Sequence, residues 1–201
     1  MLRLYDYLDS GNGYKVRLLL AQLGRTYDRI ELDIMKGETR TPDFLAKNPI
    51  GRIPLLELDN GRFLAESNAI LFYLAQGTPY LPTDAFLQAK ILSWMCFEQY
   101  NHEPYIAVLR HWTLHMTISA EQEARVPELK AKGEAALQMM DDHLTGQDYF
   151  VAGAYSIADI ALYAYTHVAA DGGFDLSGYP ALQAWIARVK RQAGYVPITQ
   201  G

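Results

Sequence analysis

Residues Gly51–Gln76 read GRIPLLELDNGRFLAESNAILFYLAQ. Leu55, Leu56 and Leu58 form a short apolar run with the character of a strand, and Asp59-Asn60-Gly61 supplies the residues that tolerate positive φ in a tight hairpin turn. Arg62–Ala65 is the returning strand. Glu66-Ser67-Asn68 follows as a polar corner, where Ser67 is expected to cap a helix whose apolar positions Ile70, Leu71 and Leu74 fall three and four apart. Ahead of the first strand stands Ile53-Pro54. Proline removes a strand donor and is the residue at which a cis peptide is cheap, at about 0.5–1 kcal/mol. A cis turn there points the N–H and C=O of Ile53 outward, where an extended peptide can pair with them. The Ser67 hydroxyl and the helix N-terminus beside it then meet a carboxylate at the other end. The stretch is expected to bind a small acidic peptide.

Upstream, Leu2–Tyr7 reads as a strand and Asp9-Ser10-Gly11-Asn12-Gly13 as a loop of turn formers. A helix is expected from Tyr14, with Val16, Leu19, Leu20 and Leu23 on one stripe and Gly24 as its stop. Ile30, Leu32 and Ile34 alternate as in a second strand. Thr41-Pro42-Asp43 starts a short helix, which Asn48-Pro49 ends.

The domain boundaries follow from composition. Residues 1–77 form an α/β unit, 78–83 a stiff Pro-rich linker and 84–201 an all-helical unit. In the helical unit, Phe86–Thr117 is one long apolar-rich stretch that Pro104 should kink or break after Glu103. Pro127–Leu144 is a second helix. Ser156 and Asp159 fit a reciprocal capping box that opens a third, Ile157–Ala170, apolar on nearly every face and so expected in the middle of the bundle. Tyr179-Pro180 begins the last.

Bulk properties narrow the function classes. The chain has 201 residues and a net charge of −5, which gives no electrostatic reason to expect nucleic acid or an anionic membrane as partner. No run reaches the length of a membrane span, and MLRLYDYL is too short for a signal peptide, so a cytoplasmic protein is expected. The single cysteine, Cys96, excludes a disulfide framework and a thiolate cluster. Between Met95 and Phe97 it reads as a buried small hydrophobe. His111 and His115 lie four apart, but no nearby carboxylate or cysteine completes a metal site, and no metal is expected.

Three segments, Asn48-Pro49-Ile50-Gly51-Arg52-Ile53-Pro54, Glu66-Ser67-Asn68-Ala69-Ile70 and the box at Ser156–Asp159, stand in the order and spacing of one family. Across essentially its whole length the chain resembles the glutathione transferase superfamily. The resemblance implies a thioredoxin-like α/β domain followed by an all-α helical bundle. Within the superfamily, Ser10-Gly11-Asn12-Gly13-Tyr14-Lys15 is similar to the bacterial nu-type loop, with serine where that loop has threonine and glycine where it has proline. Theta-type loops match less well, because their serine falls on Gly11.

The implied activity is a cytoplasmic, homodimeric glutathione transferase of the detoxification type. It would use glutathione as co-substrate and direct the thiolate at a small electrophile or peroxide. The alternatives are a non-catalytic protein-binding module on the same fold, or a glutathione-dependent isomerase, dehalogenase or disulfide reductase. Ser10 and Asn12 are the catalytic candidates, each of which can equally serve a turn or cap. Arg52, Ile53, Pro54, Glu66 and Ser67 are implied in glutathione binding, with Glu66 on the α-amino group and Ser67 on the α-carboxylate; Lys36 is a further candidate for the glycine carboxylate. Tyr7, Tyr100 and Arg110 are the candidates for the electrophile pocket. Tyr5 is a weaker claimant to the thiol.

Overall fold

A computed structural model describes residues 1–201. The chain divides into two compact units, Met1–Thr78 with Gln192–Gly201, and Pro79–Arg191. The last ten residues therefore belong with the first unit, not with the helices that precede them. Polar contacts account for this: the Tyr14 hydroxyl donates to the Val196 carbonyl at 2.7 Å, and Arg17 Nη1 donates to those of Ile198 and Gln200 at 2.8 and 2.5 Å.

In the first unit the order is β1 (Leu2–Asp6), α1 (Gly11–Gln22), β2 (Tyr27–Glu31), α2 (Pro42–Leu45), β3 (Leu55–Glu57), β4 (Phe63–Ala65) and α3 (Ser67–Leu74). The sheet runs β2-β1-β3-β4. β1 lies parallel to β2, across the α1 crossover, and antiparallel to β3, which pairs antiparallel with β4. This is the thioredoxin-like arrangement. Leu4, Leu55 and Leu56 from the sheet, Leu18, Leu19 and Leu20 from α1, and Ile70 and Leu71 from α3 are fully buried and form its core.

Two local expectations change. α1 begins at Gly11, three residues earlier than Tyr14, because the Ser10 hydroxyl caps it by accepting the Gly13 N–H at 3.2 Å. The second strand ends at Glu31. Asp33 then accepts the N–H groups of Met35 and Lys36 and turns Ile34–Lys36 into a 3₁₀ turn, so Ile34 leaves the sheet.

The second unit contains α4 (Ala85–Phe97), α5 (Glu103–His115), α6 (Ala120–Leu144), α7 (Ile157–Thr166) and α8 (Pro180–Lys190). Pro104 does interrupt the long helix, but one turn upstream. Residues Glu98–His102 form a π turn, and the Glu103 N–H reaches back to Glu98 O. A proline cannot donate and its ring crowds the carbonyl four residues before it, so the chain widens there.

Pro127 does not start a helix. It lies inside α6, whose start is the capping box of Ser119 and Gln122. α7 is buried at every position. Asp159 accepts from Ser156 N, Ser156 Oγ, Phe150 N and Trp185 Nε1 at 2.9–3.2 Å, and burial holds its carboxyl up at about 6 against these four donors. Cys96, expected inside, is exposed on α4.

Candidate active site

The first unit brings several of the expected residues to neighbouring element ends. Ile53-Pro54 is a cis peptide, and Pro54 is buried. Neither the N–H nor the C=O of Ile53 is taken by another backbone group. Asn48 shapes this corner: its Nδ2 donates to the Arg52 carbonyl at 2.8 Å, and its Oδ1 receives the Ile50 N–H at 3.3 Å. Arg52 itself is exposed.

Glu66 sits between β4 and α3 with φ 70° and ψ 113°, a conformation that a residue with a side chain rarely adopts. Non-glycine residues held this way cluster at ligand clamps, where the surrounding structure offsets a cost of about 1–3 kcal/mol. Its side chain is exposed, beside the N-terminus of α3.

Ser67 departs from its expected role as a cap. The cap position belongs to Glu66, with no side-chain bond, and Ser67 is the first helical residue. Its hydroxyl instead donates to Asn12 Oδ1 at 3.1 Å. Asn12 lies in the first turn of α1, so this contact joins the starts of two helices. Lys15, fully buried one turn further along α1, donates from Nζ to the same oxygen at 2.8 Å.

Ser10 serves as cap and remains a donor. A hydroxyl has one proton and two lone pairs. Accepting the Gly13 N–H uses a lone pair and leaves the O–H available to a second group. Ser10 is half-buried, at the N-terminal end of α1. The two readings of this serine, cap and anion donor, are therefore compatible.

Other candidates are placed differently. The Tyr5 hydroxyl donates to Glu57 Oε2 at 2.8 Å, and burial together with the Glu57 carboxylate pushes its ionisation up. Tyr7 is half-buried immediately before the loop, and its carbonyl accepts the Ser10 N–H at 2.8 Å. Lys36 is exposed and paired with Asp33. Tyr100 is exposed on the π turn of the second unit. Arg110 is buried in the second unit and its Nε donates to Asp171 Oδ2 at 3.0 Å, because a guanidinium inside the bundle needs a carboxylate.

Two further charged groups are buried beside these elements. The Asp6 carboxylate, at the end of β1, is completely buried and faces Arg17 Nε at 2.9 Å and Arg29 Nη1 at 3.7 Å. Burial pushes its carboxyl up to about 6, against the pull of both guanidinium groups. Arg17 also donates from Nη2 to the Leu8 carbonyl at 2.5 Å, which ties the loop before Ser10 to α1. Lys15 is the second. The sequence signal for it was the Asn12–Lys15 spacing of three, which puts the two side chains on one helix face.

Comparison with known sequences decides the family. Residues 1–76 match the description Glutathione S-transferase, N-terminal domain, and residues 93–193 match Glutathione S-transferase, C-terminal domain. The chain belongs to the glutathione S-transferase family.

This glutathione S-transferase family member superposes on the crystal structure of glutathione S-transferase from Pseudomonas fluorescens Pf-5 with a TM-score of 0.96 and 48% identity, covering 99% of each chain. It is 30% identical to the glutathione S-transferase-like protein LUC7 of a Fusarium species, over 92% of this chain and 87% of that one. It is 26% identical to the transcriptional regulator URE2 of Saccharomyces cerevisiae, over 98% of this chain and 67% of that protein. No helix is long and apolar enough to cross a membrane.

Proposed function

We propose that this glutathione S-transferase family member is an active transferase that binds glutathione in its first unit and ionises the thiol at the Ser10–Asn12 loop. The observation that carries the reading is the meeting of Asn12 and Ser67 at 3.1 Å. It joins the residue proposed for the thiol to the residue proposed for the γ-glutamyl carboxylate.

The mechanism follows from placing a tripeptide on these groups. The cysteinyl backbone pairs with the N–H and C=O of Ile53, held by Pro54 and with Arg52 alongside. Glu66 takes the α-amino group, and Ser67 with the α3 N-terminus takes the α-carboxylate. The sulfur then lies at the first turn of α1. A free thiol has a pKa near ~8.5, and lowering it by about two units takes roughly 2.7 kcal/mol of preference for the anion. Hydrogen bonds to a charged group contribute about 1.5–3 kcal/mol each. A helix N-terminus adds about 0.3–1 kcal/mol. Donors from Ser10 and Asn12 with the α1 terminus therefore suffice. The thiol proton leaves to solvent, the sulfur forms a bond to an electrophilic carbon, and the leaving group departs with its electron pair.

A second reading, a glutathione-binding module without turnover, is favoured only by the identity with the transcriptional regulator URE2. The higher identity to the Pseudomonas fluorescens transferase supports the enzyme. By the same resemblance we propose a homodimeric protein of the cytoplasm, with Tyr7 and Tyr100 contacting the electrophile.

Calorimetric titration with glutathione, followed by product analysis with an aromatic halide, a peroxide and a mixed disulfide, tests the proposal. Binding with at least one turnover supports the transferase. Binding without turnover supports the module, and no binding contradicts both.

A further inference from the structure

Lys15 is unusual, because a lysine is almost never fully buried unless a partner holds it, and this one is 0% exposed. Its Nζ lies 2.8 Å from Asn12 Oδ1. An ammonium carries three donors and no acceptor, so the end of the Asn12 amide that it meets is the oxygen. The opposite orientation would set N–H against N–H. The Ser67 hydroxyl supplies a second donor to the same oxygen at 3.1 Å. Two donors thus saturate the carbonyl oxygen, and the Asn12 NH₂ is turned to the other end of the planar group.

Ser67 cannot keep this role when a ligand is bound. Its hydroxyl has one proton, which a carboxylate at the α3 N-terminus would claim. Lys15 belongs to the same helix as Asn12 and sits three residues away, and its ammonium has three donors, so engaging a second group does not cost it the Asn12 contact.

From this geometry we propose that Lys15 is a positioning residue for thiol activation: it holds Asn12 with its NH₂ directed at the bound sulfur, and keeps it so while Ser67 is engaged by ligand. The inference rests on the reading that glutathione is bound and ionised here. It adds the residue that orients the donor.

The test compares the parent with Lys15→Met, which removes donor and charge at similar volume, and Lys15→Gln, which keeps an N–H donor and removes the charge. In the glutathione complex, thiolate absorbance against pH is expected to show the bound thiol pKa raised by about one unit in Lys15→Met, a ten-fold loss of thiolate near neutral pH. Lys15→Gln is expected to stay within a third of a unit of the parent. Glutathione affinity should remain within three-fold in both. The pH profile of turnover in Lys15→Met should move to higher pH by the same unit and recover in alkali, which a merely structural defect would not do. A parent-like titration in Lys15→Met overturns the inference, and so do equal shifts in Met and Gln variants.

One readout needs no glutathione. In ligand-free Ser67→Ala, NMR relaxation of the Asn12 Nδ2 group should show an ordered side chain, which becomes mobile when Lys15→Met is added. An equally ordered Asn12 in both overturns the role of Lys15 even if the parent binds no glutathione, whereas that absence of binding by itself overturns only the proposed function.

Discussion

Gly13 and Asp6 are in direct contact: a Cβ placed on Gly13 would lie 1.6 Å from Asp6 Oδ1. The end of β1 and the start of α1 approach closely enough that only a hydrogen fits between them. This contact fixes the height of the α1 N-terminus over the sheet, and with it Ser10 and Asn12. On its other side the Asp6 carboxylate meets Arg17, which in turn holds the Leu8, Ile198 and Gln200 carbonyls. One buried ion pair therefore ties the candidate thiol loop to the C-terminal segment.

Gly13→Ala should accordingly be among the most damaging alanine substitutions in the first unit. The methyl group displaces Asp6 from Arg17, and unpairing a buried ion pair costs about 3–5 kcal/mol. Gly24→Ala makes the control. Gly24 also ends α1, at φ +62°, but a Cβ there meets nothing within 4 Å, so its cost should be about 1 kcal/mol from backbone conformation alone. Urea unfolding of the two variants checks the difference.

Arg17→Ala leaves Asp6 without its close partner and three carbonyls without a donor. Global stability should fall by about 3–5 kcal/mol. Amide exchange should rise first in the loop before Ser10 and in residues 192–200, measured by hydrogen exchange under native conditions. Uniform acceleration across α3 and β3 as well would argue against Arg17 as the tie between loop and tail.

Ser10 and Ser67 should separate kinetically. Ser10→Ala removes a donor to the thiolate, so turnover should drop ten-fold or more while glutathione affinity stays within a few-fold. As Ser10 is also the cap of α1, the variant should lose about 1 kcal/mol of stability as well. Ser67→Ala should mainly raise the apparent glutathione constant, with little effect on turnover at saturating glutathione. Steady-state kinetics at varied glutathione concentration distinguishes the two patterns.

The helical unit carries an acid-sensitive group. His167 stacks on the Tyr163 ring and its Nδ1 donates to the Tyr163 carbonyl at 2.8 Å. Burial lowers its pKa from 6.5 to about 4. The folded chain thus binds the proton less readily than the unfolded one, and the stability that His167 contributes is present above pH 6.5 and lost as pH falls towards 4. Between pH 7 and pH 5 this amounts to about 1–2 kcal/mol. Asp6 and Asp159, with carboxyls raised to about 6, act in the opposite sense over the lower part of that range. His167→Gln should therefore flatten the fall in unfolding free energy on acidification, as measured by denaturant melts at the two pH values.

Much of the architecture was legible because it is written in local signals. The Asp59-Asn60-Gly61 turn, the Thr41-Pro42 helix start and the Ser156–Asp159 box each need only neighbouring residues, and all three appear where expected. Legibility failed where a longer-range or competing contact won. Ser67 read as a cap because serine before an apolar helix usually is one, yet its partner is 55 residues away on α1. Pro127 read as a helix start because proline favours the first helical position, yet the box that Ser119 opens eight residues earlier outweighs the cost of an internal proline. The pairing of Arg110 with Asp171 had no local signal, because the two lie on different segments. Lys15 and Arg17 carried no signal that separates a buried charge from a surface one, since both follow a helical pattern that permits either.

The central claim is that the Ser10–Asn12 loop ionises bound glutathione. Its most direct measurement is the thiolate absorbance of the glutathione complex titrated from acid to alkali, with parent, Ser10→Ala and Asn12→Ala proteins side by side. The account predicts a bound thiol that ionises about two units below the free ~8.5 in the parent, and at least one unit higher in each variant. A bound thiol that titrates like free glutathione in the parent, or identically in all three proteins, would contradict it.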